Sequence, residues 1–313
     1  MNSERSRSRT AGLNGAVSVA AAVVVILTGG CGAPSGETAG LPANGTPSGG
    51  TIPITVAVID TGVSPVGAVR EHRSPGVRCD PVCRAGDGPD VDGHGTAVAN
   101  LVVTGAGADP TEAATPPDVD VVPVQVTDER GVLSLRGVAA GIRWAASEGV
   151  PVVALPLVLG GGDPGVAAAI RSAPDTLFVV PAGNDGFDVD ERSVPVHPCV
   201  DTAPNVLCVA ATDGTGRLSA SSNRGAVSVD VAAPGVDLAT VDPSGRSIRV
   251  SGTSYAVPLV ARSAAGLVAA RPGSTPESVA RALRCGELAD LLPAAGGAPG
   301  RPDPTRPCDG SLG

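Results

Sequence analysis

Four short segments carry side chains that could do chemistry. The first, Val58-Ile59-Asp60-Thr61-Gly62-Val63, ends an apolar run on a carboxylate and then turns tightly. An unpaired charge is costly to bury, so Asp60 needs a partner. The second, Asp92-Gly93-His94-Gly95-Thr96-Ala97-Val98-Ala99, sets an imidazole between two glycines where a helix of small residues begins. The third, Val180-Pro181-Ala182-Gly183-Asn184-Asp185-Gly186, puts Asn184 in a glycine loop behind a strand. The fourth, Ser251-Gly252-Thr253-Ser254-Tyr255-Ala256-Val257-Pro258, opens an apolar helix reaching about Ala270. Ser254 then lies near a helix N-terminus, where free N–H groups and the dipole favour developing negative charge. A hydroxyl, an imidazole and a carboxylate are the parts of base-assisted nucleophilic chemistry, because a serine is a weak nucleophile until a base takes its proton. Taken singly, each residue also has a plainer reading. Asp60 and Asn184 are turn formers, His94 is a solvated loop residue, and Ser254 is a helix cap.

Positioning these groups requires a frame, and the chain between them supplies one. Apolar runs at Ile54–Ile59, Val119–Val126, Pro151–Leu159, Thr176–Val180 and Val206–Ala211 read as strands covered on both faces. Ser134–Gly149 reads as a helix with Ser134 as its cap, apolar residues at Leu135, Val138, Ala139, Ile142, Ala145 and Ala146, and Gly149 as its stop. Thr275-Pro276-Glu277 opens a later helix, a cap followed by proline at the first position. This alternation predicts an α/β fold of three layers, a mostly parallel sheet with helices on both faces and right-handed crossovers. The expected organisation is a signal over residues 1–30, a Gly/Pro/Ser-rich tether over 31–51, one globular domain over 52–290 and a Gly/Pro-rich tail over 291–313.

In their order Asp, His, Asn, Ser, the four segments resemble the subtilisin-like serine proteases, the subtilase family, whose triad order is a standard example of this arrangement. The resemblance covers nearly all of residues 54–284 and includes Leu159-Gly160-Gly161, Val231-Ala232-Ala233-Pro234-Gly235 and the Gly-Thr-Ser-x-Ala-x-Pro pattern ending at Pro258. It implies a subtilisin-like fold and an endopeptidase working through an acyl-enzyme on Ser254. His94 would be the base, Asp60 its orienting carboxylate, and Asn184 with the Ser254 backbone N–H the oxyanion donors. It implies a protein or peptide substrate and no cofactor. No calcium motif of the family maps onto the chain, and structural calcium stays open. A non-catalytic peptide-binding or scaffold protein of a secretion system, built on the same fold, is the competing reading.

The chain departs from the family at Val158, where serine is usual, and residues 32–51 are too short for a folded propeptide. The segment Val69–Pro89, with Cys79 and Cys83, reads as a local elaboration beside the cleft. An exported, disulfide-bearing, propeptide-poor chain is similar to the mycosins, subtilases of actinobacterial secretion systems, and this implies a secretion-system partner. Mycosins carry a C-terminal membrane helix, whereas the tail here is rich in glycine and proline.

Composition narrows the alternatives. The net charge is −9, all 22 basic residues are arginine, and the aromatic residues are two Phe, one Trp and one Tyr. With no basic stripe and no stacking platform, nucleic acid is excluded as a partner. Arg5, Arg7 and Arg9, the apolar run Ala16–Leu27 and the small residues Thr28-Gly29-Gly30 follow the order of a secretory signal. Cys31 directly after them resembles the lipidated cysteine of a bacterial lipoprotein, although Leu27 sits four places before it rather than three. The apolar core of about 12 residues is short of the ~20 that span a bilayer. A plain signal or an uncleaved anchor is the other reading.

Beyond Cys31 the cysteines are Cys79, Cys83, Cys199, Cys208, Cys285 and Cys308. An even set in an exported chain reads as disulfides. Nearest-neighbour pairing gives 79–83, 199–208 and 285–308, one of 15 possible connectivities. Zinc held by Cys79, Cys83 and a nearby histidine is the alternative for the first pair. His72 and His197 carry no motif and are placed on the surface or in loops. The string Asp90-x-Asp92-Gly breaks the calcium-loop pattern, and Gly160-Gly161-Gly162 lacks the Lys-Ser/Thr of a phosphate loop.

Overall fold

Seven consecutive residues, Ile54–Asp60 (β1), alternate their side chains between two buried layers, and in the computed structural model they lie inside an eight-stranded sheet. The described residues are 53–286 except 108, 112–118, 192–194 and 202. The remaining strands are Val77–Cys79 (β2), Cys83–Ala85 (β3), Val119–Gln125 (β4), Val152–Ala154 (β5), Leu159–Gly160 (β6), Leu177–Pro181 (β7), Val196–His197 (β8), Val206–Thr212 (β9), Val231–Pro234 (β10), Leu238–Val241 (β11) and Ser247–Val250 (β12). The large sheet runs β10-β9-β7-β5-β1-β4-β2-β3. Every pairing in it is parallel except the edge hairpin β2–β3, and β11–β12 and β6–β8 form two small antiparallel sheets.

Among the described residues, five α-helices cover the sheet: His94–Thr104 (α1), Leu135–Ser147 (α2), Pro164–Arg171 (α3), Thr253–Ala270 (α4) and Pro276–Arg284 (α5). On one face Val56 and Val58 pack with Val98 and Val102 of α1, with Val257, Val260 and Ala264 of α4, and with Val279 of α5. On the other, Ala57 and Ile59 pack with Val138 and Ile142 of α2 and with Val166 and Ile170 of α3. The chain is therefore a three-layer α/β fold. With so few aromatics, valine, alanine, leucine and isoleucine supply most of both cores. The Arg262 guanidinium, buried on α4, donates from Nη1 to the carbonyls of Val102 and Val103 at 3.0 and 2.8 Å. It satisfies the C-terminal end of α1 and ties that helix to α4.

Local signals account for most boundaries. Ser134 Oγ accepts from Gly137 N at 3.0 Å, as expected of a cap, and Thr275 Oγ1 accepts from Ser278 N. β1, β4, β7 and β9 fall within a residue of the runs read as strands. The run Pro151–Leu159 does not. β5 stops at Ala154 because Pro156 has no N–H for a ladder, and Leu159–Gly160 pairs instead with β8 in a different sheet. The segment 69–89 carries the β2–β3 hairpin, and β2 extends the main sheet next to β4.

Cys79 is bonded to Cys83 across the β2–β3 hairpin and Cys199 to Cys208, two of the three nearest-neighbour pairs expected. The disulfide takes both sulfurs that a zinc site would need. Cys285 caps the end of α5, and its expected partner Cys308 lies outside the described residues, as do Cys31 and the whole signal and tether. His197 lies on β8, half-buried, with Nδ1 2.7 Å from Asp201 Oδ1; His72 pairs with Asp120 at 3.3 Å. Among the described residues, no helix is long and apolar enough to cross a membrane.

Candidate active site

Strand β1 has β4 on one side and β5 on the other, so the chain reverses its direction of travel across the sheet there. In open parallel sheets the crevice beyond the carboxyl ends at such a reversal is where ligands bind. Asp60 ends β1 at that point, and Asn184 follows β7 on the same edge. Ser254 reaches it from the start of α4.

The Asp60 side chain is fully enclosed, and both its oxygens lie 2.9 Å from His94 Nδ1. Oδ1 also accepts from Thr61 N at 2.7 Å. A carboxylate only accepts, so Nδ1 carries the proton and Nε2 keeps its lone pair for a substrate-side proton. His94 retains 22% of its side-chain exposure, enough to open on the cleft. Burial opposes a charge on the ring. The field of Asp60, its hydrogen bond and the fields of Asp92 and Asp90 outweigh that and hold the His94 pKa above the usual imidazole range.

The close approach of β1 and α1 depends on Gly95, where a Cβ would collide with the Gly62 carbonyl. Asp90 fastens the same junction. Buried, it accepts from Thr61 Oγ1 at 2.8 Å, Gly93 N at 2.9 Å and both Thr96 N and Oγ1 at 2.8 and 2.6 Å. These bonds set the first turn of α1, and a carboxylate there suits the helix dipole. Gln125, paired with Asp60 in register and wholly buried, donates from Nε2 to Thr61 O at 2.9 Å.

Ser254 is the second residue of α4. The N-cap is Gly252 with no side-chain cap bond, so Ser254 does not serve as a cap. Its Oγ donates to Pro156 O at 3.1 Å, and in this resting arrangement it is not hydrogen-bonded to His94. The next side chain, Tyr255, has its ring centroid 5.3 Å from that of His94, which places the imidazole beside this turn of α4.

Asn184 is exposed, yet its amide is oriented. Thr253 N and Oγ1 donate to its Oδ1 at 2.8 and 3.1 Å. A backbone N–H can only donate, so the oxygen faces Thr253 and the Nδ2 donors face away from it. The loop is braced from beneath by Asn223, which donates to Ala182 O at 2.8 Å and accepts from Asp185 N and Phe187 N at 3.1 and 3.0 Å. Gly183 sits at φ +100°, where a Cβ would also strike Asn223. The structure thus joins Asp60 to His94 directly and Asn184 to the α4 start through Thr253. Sequence motifs alone do not single out Asp90, Gln125, Thr253, Pro156 or Asn223. Asp90 and Thr253 lie inside the quoted motifs or within a few residues of them, Pro156 announces only a break in its apolar run, and Gln125 and Asn223 carry no local signal.

A family model described as the subtilase family, peptidase S8, matches residues 52–285. Thermitase of Thermoactinomyces vulgaris is 34% identical over 182 residues, covering 58% of this chain and 62% of thermitase. Subtilisin-like protease 2 of Pseudogymnoascus destructans is 37% identical over 203 residues, covering 61% of this chain and 47% of that protein. The chain thus spans about half to two-thirds of the length of these relatives. Among solved structures, a cold adapted subtilisin-like serine proteinase superposes with a TM-score of 0.63 at 30% identity, covering 74% of this chain and 80% of that one.

Proposed function

The chain belongs to the subtilase family, and from that premise we propose that it is a serine endopeptidase with Ser254 as nucleophile. Ser254 Oγ attacks the scissile carbonyl while His94 Nε2 takes its proton. Asp60 holds the tautomer and stabilises the imidazolium. The oxyanion is received by Asn184 Nδ2 and the Ser254 backbone N–H at the positive end of α4. His94 then returns the proton to the departing amine, leaving an acyl ester on Ser254 that water hydrolyses by the same steps. The observation that carries this reading is the fully enclosed carboxylate 2.9 Å from His94 Nδ1, which leaves Nε2 basic beside the turn bearing Ser254.

A fluorophosphonate probe tests it, because the probe captures only an activated serine. One adduct per chain, mapped to the peptide containing Ser254, is expected. No adduct, or an adduct on another serine, refutes the assignment.

Asn184→Ala is expected to lower kcat about 10²–10³-fold with KM little changed, a size measured on subtilisin, itself a member of this family. Asn184→Asp separates the causes. It keeps the acceptor for Thr253 and removes the donor, so steady-state kinetics should show it as impaired as the alanine variant. Recovery in Asn184→Asp would make the residue a brace for α4 only.

The signal-like N-terminus, the small residues before Cys31 and the tether that follows support an exported enzyme held to the membrane by lipid on Cys31. Its substrates would be proteins or peptides outside the cell. The likeness to mycosins supports a link to a secretion system.

A further inference from the structure

We propose that Tyr255 is a positioning residue for His94, an inference that rests on the serine-peptidase reading above. Asp60 holds the imidazole at one atom, Nδ1, and a ring held at one atom can still tilt about it. A second contact is needed to set the plane and so the aim of Nε2. The Tyr255 ring makes it, with centroids 5.3 Å apart and planes inclined at 47°, within the range of favourable tilted aromatic pairs. Tyr255 is itself seated, half-buried against the small apolar cluster of Leu101, Leu238 and Leu259. Tyr255 follows Ser254 in the chain. The nucleophile and the wall behind its base therefore ride on one helical turn, and a shift of α4 moves both together.

Electrostatics favours the same role. The charged groups whose fields reach the imidazole are Asp60 from β1 and Asp92 and Asp90 from the segment before α1, and the phenol from α4 lies beside it. Burial and those three carboxylates push the phenol up to about 12, so it stays neutral while His94 titrates. A neutral π face attracts the imidazolium that forms during proton transfer.

The test compares Tyr255→Phe with Tyr255→Leu in the full chain. Phenylalanine keeps the ring and is expected to hold kcat, KM and pH profile within about twofold of wild type. Leucine keeps apolar bulk without the ring; kcat should fall about three- to thirtyfold with KM within about twofold. The His94 ring should also titrate about half a pH unit lower or more by NMR, where only three histidines contribute signals. If the leucine variant fails to fold, Tyr255→Met takes its place. Wild-type kcat and titration in the ringless variant, or an equal loss in Tyr255→Phe, overturns the proposal. The NMR titration needs no turnover. A chain that binds no fluorophosphonate yet shows the ring-dependent titration refutes the peptidase reading and keeps the Tyr255 contact. A chain that is labelled at Ser254 while the ringless variant titrates as wild type does the reverse.

Discussion

Ser254→Ala is expected to abolish peptide hydrolysis, with a loss on the order of 10⁶-fold in kcat, the scale measured on subtilisin, and with substrate binding retained. The geometry argues that the effect is chemical rather than structural. Ser254 is half-buried, and its hydroxyl's hydrogen bond goes to Pro156 O. Losing it costs about 1 kcal/mol, whereas the α4 start is held independently by Thr253 on Asn184 and by the Ala256 and Val257 packing beneath. Thermal melting within a few degrees of wild type, together with inhibitor-peptide binding at near wild-type affinity, should accompany the loss. The competing scaffold reading predicts that no hydrolysis is there to lose and that peptide binding is indifferent to the substitution. Hydrolysis by the alanine variant within tenfold of wild type would place the nucleophile elsewhere.

The parts of this site that are legible in the sequence share one property. Each sits at an element boundary that its own neighbours announce. Asp60 closes an apolar run before Thr-Gly, His94 follows Gly93 into α1, and Ser254 follows Gly252 into α4. The residues that fix their geometry have no such announcement, because their partners are far away in the chain. Asn223 reaches back 41 residues to Ala182, and Gln125 reaches 64 to Thr61. A buried glutamine on a valine strand reads locally as a neutral substitution. Its meaning comes only from parallel pairing, which sets Gln125 opposite Asp60.

Asp90 shows the opposite case. Its string breaks the pattern of a metal loop, yet that failure leaves open what a buried carboxylate four residues before His94 holds. It holds the turn after Asp60 and the first turn of α1 at once. α3 is a plainer omission, since Asp163-Pro164 is a cap with proline in first position, and Asp163 Oδ1 does accept from Val166 N at 2.8 Å. The break in the run 151–159 is also readable at Pro156. What local reading does not supply is the use of the break: it leaves the Pro156 carbonyl beyond the carboxyl end of β5, and that carbonyl receives the Ser254 hydroxyl.

Asp60→Asn carries the second large effect, about 10⁴-fold in kcat, a size known from serine proteases of this fold and of another. Asparagine is isosteric and keeps an oxygen for Thr61 N, so the turn survives. Its amide is also a donor. Turned toward His94, it favours the tautomer with the proton on Nε2, which cannot accept from Ser254. The pH dependence should change with it. The base works only when neutral, so wild-type kcat/KM should fall on acidification through a pKa above the usual imidazole range, following the direction of the His94 shift. Burial alone would push that pKa down, and Asp60 is the largest contribution opposing it. With Asp60 neutralised, only Asp92 and Asp90 still raise it, so the acid limb of the variant should move to lower pH. The variant's deficit should then be greatest above the wild-type limb and shrink below it, where wild type is already protonated and the variant is not. Rate profiles from pH 5 to 10 for both proteins decide the matter, and a limb that stays in place after the substitution would mean that Asp60 does not govern the charge on His94.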